Sequence, residues 1–380
     1  MAAPSETYVD PSIAGNSGTG TIGDPYGDLQ YALDTMTRDS TNGDRINIKS
    51  GTAEVLTGAI DLTNYGSPSS PRTAPLILSG YDSTAGDGGI GEIDGNGSSV
   101  YNNASGENIY FIDLKMGNCG TSDVIRAGRF VGCHGCEVYG TTANGIKIDN
   151  GHSHAVRCWV HDIGDSAVRV AVNGCCAIGC YFSNDGTRTM TQAVKQANST
   201  SVISVINNFF SLDSTSNGVF HTDWGIGTVI GNSFLTSGTG TAVGSASLGS
   251  GPVINNLFEG FSQGIDTYNS GPQGVRFDIQ HNAFYDCTTN ITSDNDIVYA
   301  EDNESLGASP FAKTGSLPTD FTSASFWSDL YAYFAPVDTG NVYSGFPVGS
   351  NQTKGAVGQP VGGGAGGGLL RVNMNGNVFG

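Results

Sequence analysis

The chain has 380 residues, and its 16 Lys and Arg against 35 Asp and Glu give a formal net charge of −19. Such a chain is a poor partner for nucleic acid or an anionic membrane surface, and it contains no apolar run of about 18 residues, the length a membrane helix needs. Gly contributes 57 residues while charged residues make up only 13%, a balance that suits short strands joined by many turns.

The chain starts Met1-Ala-Ala-Pro-Ser-Glu6, with neither the basic stretch nor the apolar stretch of a secretory leader, so no such leader is expected. Leu29, Ala32, Leu33 and Met36 fall at helical spacing within Asp28–Met36, which predicts a short amphipathic helix. Residues 1–43 are therefore read as an N-terminal cap and 44–300 as a repetitive body.

The body repeats. Gly135-Cys-Glu-Val138, Arg157-Cys-Trp-Val160, Gly179-Cys-Tyr-Phe182, Asn207-Asn-Phe-Phe210, Gly231-Asn-Ser-Phe234, Asn255-Asn-Leu-Phe258 and His281-Asn-Ala-Phe284 recur every 22 to 28 residues. A second short strand follows most of them, as in Gly145-Ile-Lys-Ile148, Ala167-Val-Arg-Val170 and Gly218-Val-Phe-His221. Alternation within segments and a period in the twenties indicate a solenoid whose coils stack ~4.8 Å apart. Phe182, Phe210, Phe234, Phe258 and Phe284 should then form one interior column. Cys136, Cys158, Cys180, Asn208, Asn232, Asn256 and Asn282 should form another beside it. Eight cysteines are present, and their places in the repeat favour buried thiols. Cys133-His-Gly-Cys136 lacks the second pair that a zinc site of this spacing requires.

With Tyr8-Val-Asp-Pro11, Leu29-Gln-Tyr-Ala-Leu33, Asp44–Thr52 and Ala74–Tyr81 at one end, and Ser309-Pro-Phe311, Asp320-Phe321 and Lys354-Gly-Ala-Val357 at the other, the chain resembles the pectate-lyase-like β-helix proteins over almost its whole length. The resemblance implies an all-β, single-stranded right-handed parallel β-helix with an N-terminal helical cap and an irregular C-terminal segment. It is weak for function, because lyases, hydrolases, epimerases, phage spikes and inert adhesive proteins share the fold.

Two outward columns attract interest. Arg126, Lys147, Arg169 and Lys195, followed by Phe220, place four cations on successive coils. Like charges stacked so closely destabilise a sheet, so either neighbouring carboxylates (Asp123, Asp149, Asp165) or an anionic ligand such as a uronate or sulfated polysaccharide should compensate. After Glu137, the other column carries Trp159, Tyr181 and Phe209, which suit either a covering segment or interface or a platform for sugars. Together these eight residues form the expected ligand surface.

The fold resemblance suggests how catalysis would work. A lyase would use Lys147 and Arg169 as base and charge neutraliser, with Ca²⁺ held by Asp162, Asp165 and Asp185. A hydrolase needs two carboxylates, and Asp185 and Asp213 share a register. His161-Asp162 and His221-Thr-Asp223-Trp224 are further candidates. No other cofactor or metal is expected.

Residues 301–360 read as a closing segment, with Phe326-Trp327 and Leu330–Phe334 as packing anchors. Residues 361–380 form a Gly-rich linker and a tail whose Leu369, Leu370, Val372, Met374, Val378 and Phe379 suit docking onto a neighbour. The expectation is a virion-surface structural protein, such as a phage spike, fibre or capsid-decorating protein, facing glycans and attached through this tail. Its partners would be other virion or surface-assembly proteins and polysaccharide, and homotrimers are common for the architecture. The alternatives are a polysaccharide lyase or glycosidase acting on acidic glycans and a bacterial surface adhesin, either placed outside the cell or on its surface.

Overall fold

The structure, a computed structural model, describes residues 3–63, 74–171, 174–184, 187–198, 202–213, 215–221, 226–245, 251–267, 277–292, 299–335, 371–372 and 378–379. The chain forms two compact units, Met1–Arg169 and Val170–Gly380.

In the first unit, Ser5–Val9, Asp44–Lys49, Leu76–Tyr81, Tyr101–Ile112 and Ile125–His134 pair successively in parallel. Ile125–His134 then pairs with Ile146–Ile148 along its first half and His154–Val156 along its second. A second parallel ladder runs through Glu54–Val55, Gly91–Asp94, Leu114–Gly117, Glu137–Val138 and Trp159–His161. Helix α1 (Leu29–Thr35) is one residue shorter at each end than expected. The Asp28 carboxylate caps it by accepting the Tyr31 N–H at 2.6 Å, while Met36 forms the C-cap. Leu29, Ala32 and Leu33 are buried, as their spacing requires.

The second unit has three parallel ladders, so each coil has three faces. Tyr181–Ser183, Phe209–Leu212, Ser233–Thr236, Leu257–Glu259, Ala283–Tyr285 and Glu304–Ser305 form one. Gln192–Gln196, Asn217–His221, Thr241–Ser245, Gln263–Asp266 and Thr289–Thr292 form another. The third was not evident from the sequence pattern: Cys175–Ile178, Val202–Ile206, Ile226–Ile230, Gly251–Ile254, Phe277–Gln280 and Tyr299–Glu301. Its inward column of Val205, Val229, Val253 and Ile279 is buried.

The expected Phe column is present. Neighbouring rings from Phe182 to Phe284 stack with centroids 5.0, 4.3, 5.0 and 4.9 Å apart. All five rings are buried, and burying one such ring contributes ~1.5–3 kcal/mol. The Asn ladder beside it is continuous. Asn208 Nδ2 donates to Asn232 Oδ1, Asn232 to Asn256, and Asn256 to Asn282, at 3.0, 3.0 and 2.9 Å. It gains a rung beyond the predicted set, because Asn282 Nδ2 donates to Asn303 Oδ1 at 3.0 Å. Each Oδ1 also accepts the backbone N–H of the preceding rung, as Asn256 Oδ1 accepts the Asn232 N–H at 2.9 Å. Each Nδ2 also reaches a backbone carbonyl, as Asn232 does to Val205 at 2.9 Å. The amides of Asn208, Asn232, Asn256 and Asn282 are buried, and the network satisfies them.

In the first unit, thiols hold the same register. Cys136 and Cys158 donate to the carbonyls of Phe111 and Cys133, both at 3.4 Å. All eight cysteines are free thiols, and burial pushes those of Cys133 and Cys136 well above their usual pKa. The residue before each rung turns the corner with positive φ: Gly135 and Arg157 in the first unit, and Gly179, Asn207, Gly231, Asn255, His281 and Asp302 in the second. That left-handed conformation explains why Gly and Asn precede so many rungs.

The closing segment forms helix α2 (Phe326–Tyr333), with Phe326 and Leu330 buried. In the tail, Arg371–Val372 and Val378–Phe379 pair antiparallel, bringing Val372 opposite Val378. Leu369, Leu370 and Met374 lie outside the described residues. No helix among the described residues is long and apolar enough to cross a membrane.

Candidate functional site

On the second ladder of the first unit, strands of two to four residues alternate inward and outward side chains. Register aligns Glu92 with Lys115, Lys115 with Glu137, and Glu137 with Trp159. Lys115 Nζ lies 3.9 Å from Glu92 Oε1 and 4.0 Å from Glu137 Oε1, so one ammonium bridges two carboxylates. The carboxylates differ in setting. The Glu137 side chain is 6% exposed and that of Glu92 36%.

Two rings hold His161 in place. Its imidazole stacks on Trp159 with centroids 3.7 Å apart and on Tyr139 at 5.7 Å. Its Nε2 is 3.0 Å from Glu137 Oε1. The Tyr139 hydroxyl donates to Glu92 Oε1 at 3.4 Å, and Lys115 sits 5.1 Å from the centre of the Tyr139 ring, a cation–π distance. Burial, followed by the nearby Glu92 and Glu137 charges, raises the Tyr139 phenol above its ordinary range. The ledge therefore presents two carboxylates, an ammonium, an imidazole and a phenol, with ring faces beside them. Sequence reading identified Glu137, Trp159 and His161 but missed Glu92, Lys115 and Tyr139. The coils of Glu92 and Lys115 precede the first recognised repeat segment, and only the alternation in Gly91–Asp94 and Leu114–Gly117 marks them, while Tyr139 directly follows that segment.

The cation column is matched by carboxylates wherever its contacts are defined. Arg126 pairs with Asp149 at 2.7 Å and Lys147 with Asp123 at 3.5 Å, which is the compensation the close stacking requires. Lys147 thus has a carboxylate partner on the adjoining coil. Arg169 lies on Ser166–Val170, the strand paired with Ile146–Ile148, and its Nε is buried without a hydrogen-bond partner. In the second unit, Lys195 is in register with Phe220, and the half-buried Phe220 ring lies against Gly244.

Of the two readings of the aromatic column, the structure shows the covered one and not an open platform. Trp159, Tyr181 and Phe209 are exposed by only 2%, 1% and 1%. In the second unit the closing segment covers the rings: Tyr181 meets Phe326 at 6.2 Å, and Phe209 meets Tyr331 and Phe334 at 5.4 and 5.1 Å. Glu259, on the same ladder, accepts from Ser309 at 2.6 Å and pairs with Lys313 at 2.5 Å.

Asp213 is occupied locally. Its Oδ1 accepts the N–H groups of Thr215 and Ser216, both at 3.1 Å, and the Ser216 hydroxyl at 2.7 Å. Burial works to raise its pKa, but bonds from Ser216, Thr215 and Thr189 hold it below the usual carboxylate range. These bonds are those of a turn-forming aspartate. Asp185, Asp223 and Trp224 lie outside the described residues, as does the His221 side chain. Among the described residues no three His, Cys, Asp or Glu side chains gather as a metal-binding group. Asp162 and Asp165 are among these residues, whereas Asp185, the third carboxylate of the expected calcium set, is not.

No protein family matches the sequence, and no curated protein matches it. Among solved structures, the chain is similar to pectate lyase Pel9A, with 14% identity, a TM-score of 0.57, and coverage of 94% of this chain and 97% of that one. This chain has the right-handed parallel β-helix fold of that lyase. A rhamnogalacturonan lyase is similar at 14% identity and a TM-score of 0.48 over 83% of this chain and 91% of that one. A lacto-N-biosidase of family GH136 from Eubacterium ramulus is similar at 11% identity and a TM-score of 0.40 over 79% and 67%. At these identities the likeness of the β-helix to other proteins concerns the fold.

Proposed function

We propose that this β-helix is a glycan-facing surface protein, of the phage spike, fibre or capsid-decorating kind, that meets carbohydrate along the ledge from Glu92 to His161. The observation that carries this reading is Lys115 held between Glu92 and Glu137, with Tyr139 and His161 beside them. Carboxylates and an ammonium on adjoining coils offer acceptors and donors to sugar hydroxyls. The ~4.8 Å coil spacing is close to the length of one sugar ring in a chain. Two carboxylates to one ammonium repel uronates, so the ledge suits neutral or amino sugars. The display setting draws support from eight cysteines, seven of them buried, that form no disulfide, which suits assembly in a reducing compartment, and from the apolar tail that follows a Gly-rich linker.

A second reading, glycoside hydrolysis, is favoured by the same lysine. Two oxygens bridged by one ammonium at 3.9 and 4.0 Å are no more than about 8 Å apart, within the range of glycosidase carboxylate pairs. Glu137, buried beside His161, would act as the acid, and the more open Glu92 as the base.

Calorimetric titration with neutral, amino-sugar and uronate polysaccharides tests both readings, alongside reducing-sugar release and ultraviolet absorbance of unsaturated products. Binding of a neutral or amino glycan that is lost in Lys115→Ala, with no products, supports the display reading. Reducing ends without unsaturation support hydrolysis. Unsaturated products from a uronate would overturn both.

A further inference from the structure

A second cluster lies on the other ladder of the first unit, away from the ledge. The strand register places Tyr110 opposite Gly132 and Gly132 opposite His154, while Ile112, His134 and Val156 form the next outward column. His154 leans across from its own column, and its Nε2 comes within 2.7 Å of His134 Nε2. The rings meet edge to face with centroids 4.7 Å apart. Tyr110 closes one side, 6.4 Å from His134 and 6.0 Å from His154.

Gly132 makes this approach feasible. A Cβ there would lie 2.7 Å from His154 Nε2 and 2.6 Å from the Tyr110 ring. The side chains of Tyr110, His134 and His154 are each only partly buried.

We infer that His134 and His154 form a binding site for a late first-row divalent metal ion, with both Nε2 atoms as ligands and water completing the coordination. At 2.7 Å one nitrogen must hold a proton and the other accept it. An ion takes the place of that proton. Zn–N bonds of about 2.1 Å at tetrahedral angles set the two nitrogens about 3.4 Å apart, so the rings need to open by less than 1 Å. Paired imidazoles favour Zn²⁺, Ni²⁺ and Cu²⁺ over Ca²⁺ and Mg²⁺, which prefer oxygen. The net charge of −19 draws cations toward the surface.

The test is titration of untagged, chelator-treated protein with Zn²⁺, Ni²⁺ and Cu²⁺ at neutral pH, with electron paramagnetic resonance of the Cu²⁺ form. The expected result is one ion per chain, two nitrogen couplings to copper, and affinity weaker by about tenfold or more in both His134→Gln and His154→Gln. Absence of binding overturns the inference. So does affinity unchanged in both variants, or displacement of the ion by millimolar Ca²⁺. If His154→Gln fails to fold, His134→Gln and the copper spectrum decide the matter.

Discussion

The Nε2 of His161 lies 3.0 Å from Oε1 of Glu137, on the adjoining coil. This contact ties a buried carboxylate to an imidazole clamped between Trp159 and Tyr139. Glu137→Gln keeps the shape and removes the charge. The variant should fold with a melting temperature close to the parent's, yet lose glycan affinity by about tenfold or more, because charged hydrogen bonds contribute the most at such sites. Calorimetric titration with the best polysaccharide checks this. Unchanged affinity would remove the ledge from the binding surface.

Asn232 joins four partners: it accepts from the Asn208 N–H and Nδ2 at 2.8 and 3.0 Å and donates to Val205 O and Asn256 Oδ1 at 2.9 and 3.0 Å. Asn232→Ala strands these buried groups, and the expected loss is about 3–5 kcal/mol, given ~1–3 kcal/mol for each unsatisfied group and incomplete additivity. Asn232→Cys should cost less, since Cys136 and Cys158 at this register reach a backbone carbonyl through sulfur. Guanidinium unfolding of both variants measures the order, and a Cys variant weaker than the Ala variant would contradict it.

Phe258 stacks between Phe234 and Phe284 at 5.0 and 4.9 Å and is fully buried. Phe258→Ala should lower stability by about 3–5 kcal/mol. Phe258→Leu, which fills more of the space, should lose less. Denaturant midpoints report both values.

Glu54 is buried beside α1, where it accepts the Leu29 N–H at 3.1 Å and borders a cavity of about 240 Å³. Burial is the main cause of a pKa pushed up to about 7, with the Asp28 charge adding to it. The folded state therefore binds this proton more tightly than the unfolded chain does. Stability from this group is complete below the unfolded value near 4.5 and is lost as pH rises through 7. Glu54→Gln should flatten that part of the stability profile and stabilise the protein above pH 7 by up to about 3 kcal/mol. Thermal unfolding across pH 4–8 tests this, and parallel curves for parent and variant would refute it.

Phe334 is 1% exposed and packs on Phe209 and Phe311 at 5.1 and 5.2 Å. Phe334→Ala should loosen the closing segment before the coils themselves unfold. Limited proteolysis should then cut within residues 312–335 well before the coils, whereas simultaneous cleavage would mean that cover and coils unfold together.

The repeat was readable wherever one chemical type recurred at a fixed offset, as in the Phe column and the Cys-to-Asn column. The third ladder was hidden because its Val and Ile residues repeat without a polar marker such as Asn232. The aromatic column was legible as a column, and a covering segment was one of its two readings, but what covers it was not legible. Its lid, α2, arrives from more than a hundred residues later, and no spacing rule links Tyr331 to Phe209. The ledge was half legible. Glu137 and His161 stand in recognised repeats, while Lys115 and Glu92 lie in coils whose interior positions are Met116 and Ile93 rather than Phe. The His134–His154 contact depends on the missing side chain at Gly132, which a pattern of residue types does not reveal.

Every rung of the Asn ladder has the same polarity, with donors facing the later coil and acceptors the earlier one. A copied or deleted coil would meet neighbours chemically identical to those it had before. Length is therefore a property that tandem duplication can alter in single steps without redesigning the interior. An aspartate or leucine at one rung would by contrast break the chain of amides there, marking a fixed seam at which such growth must stop.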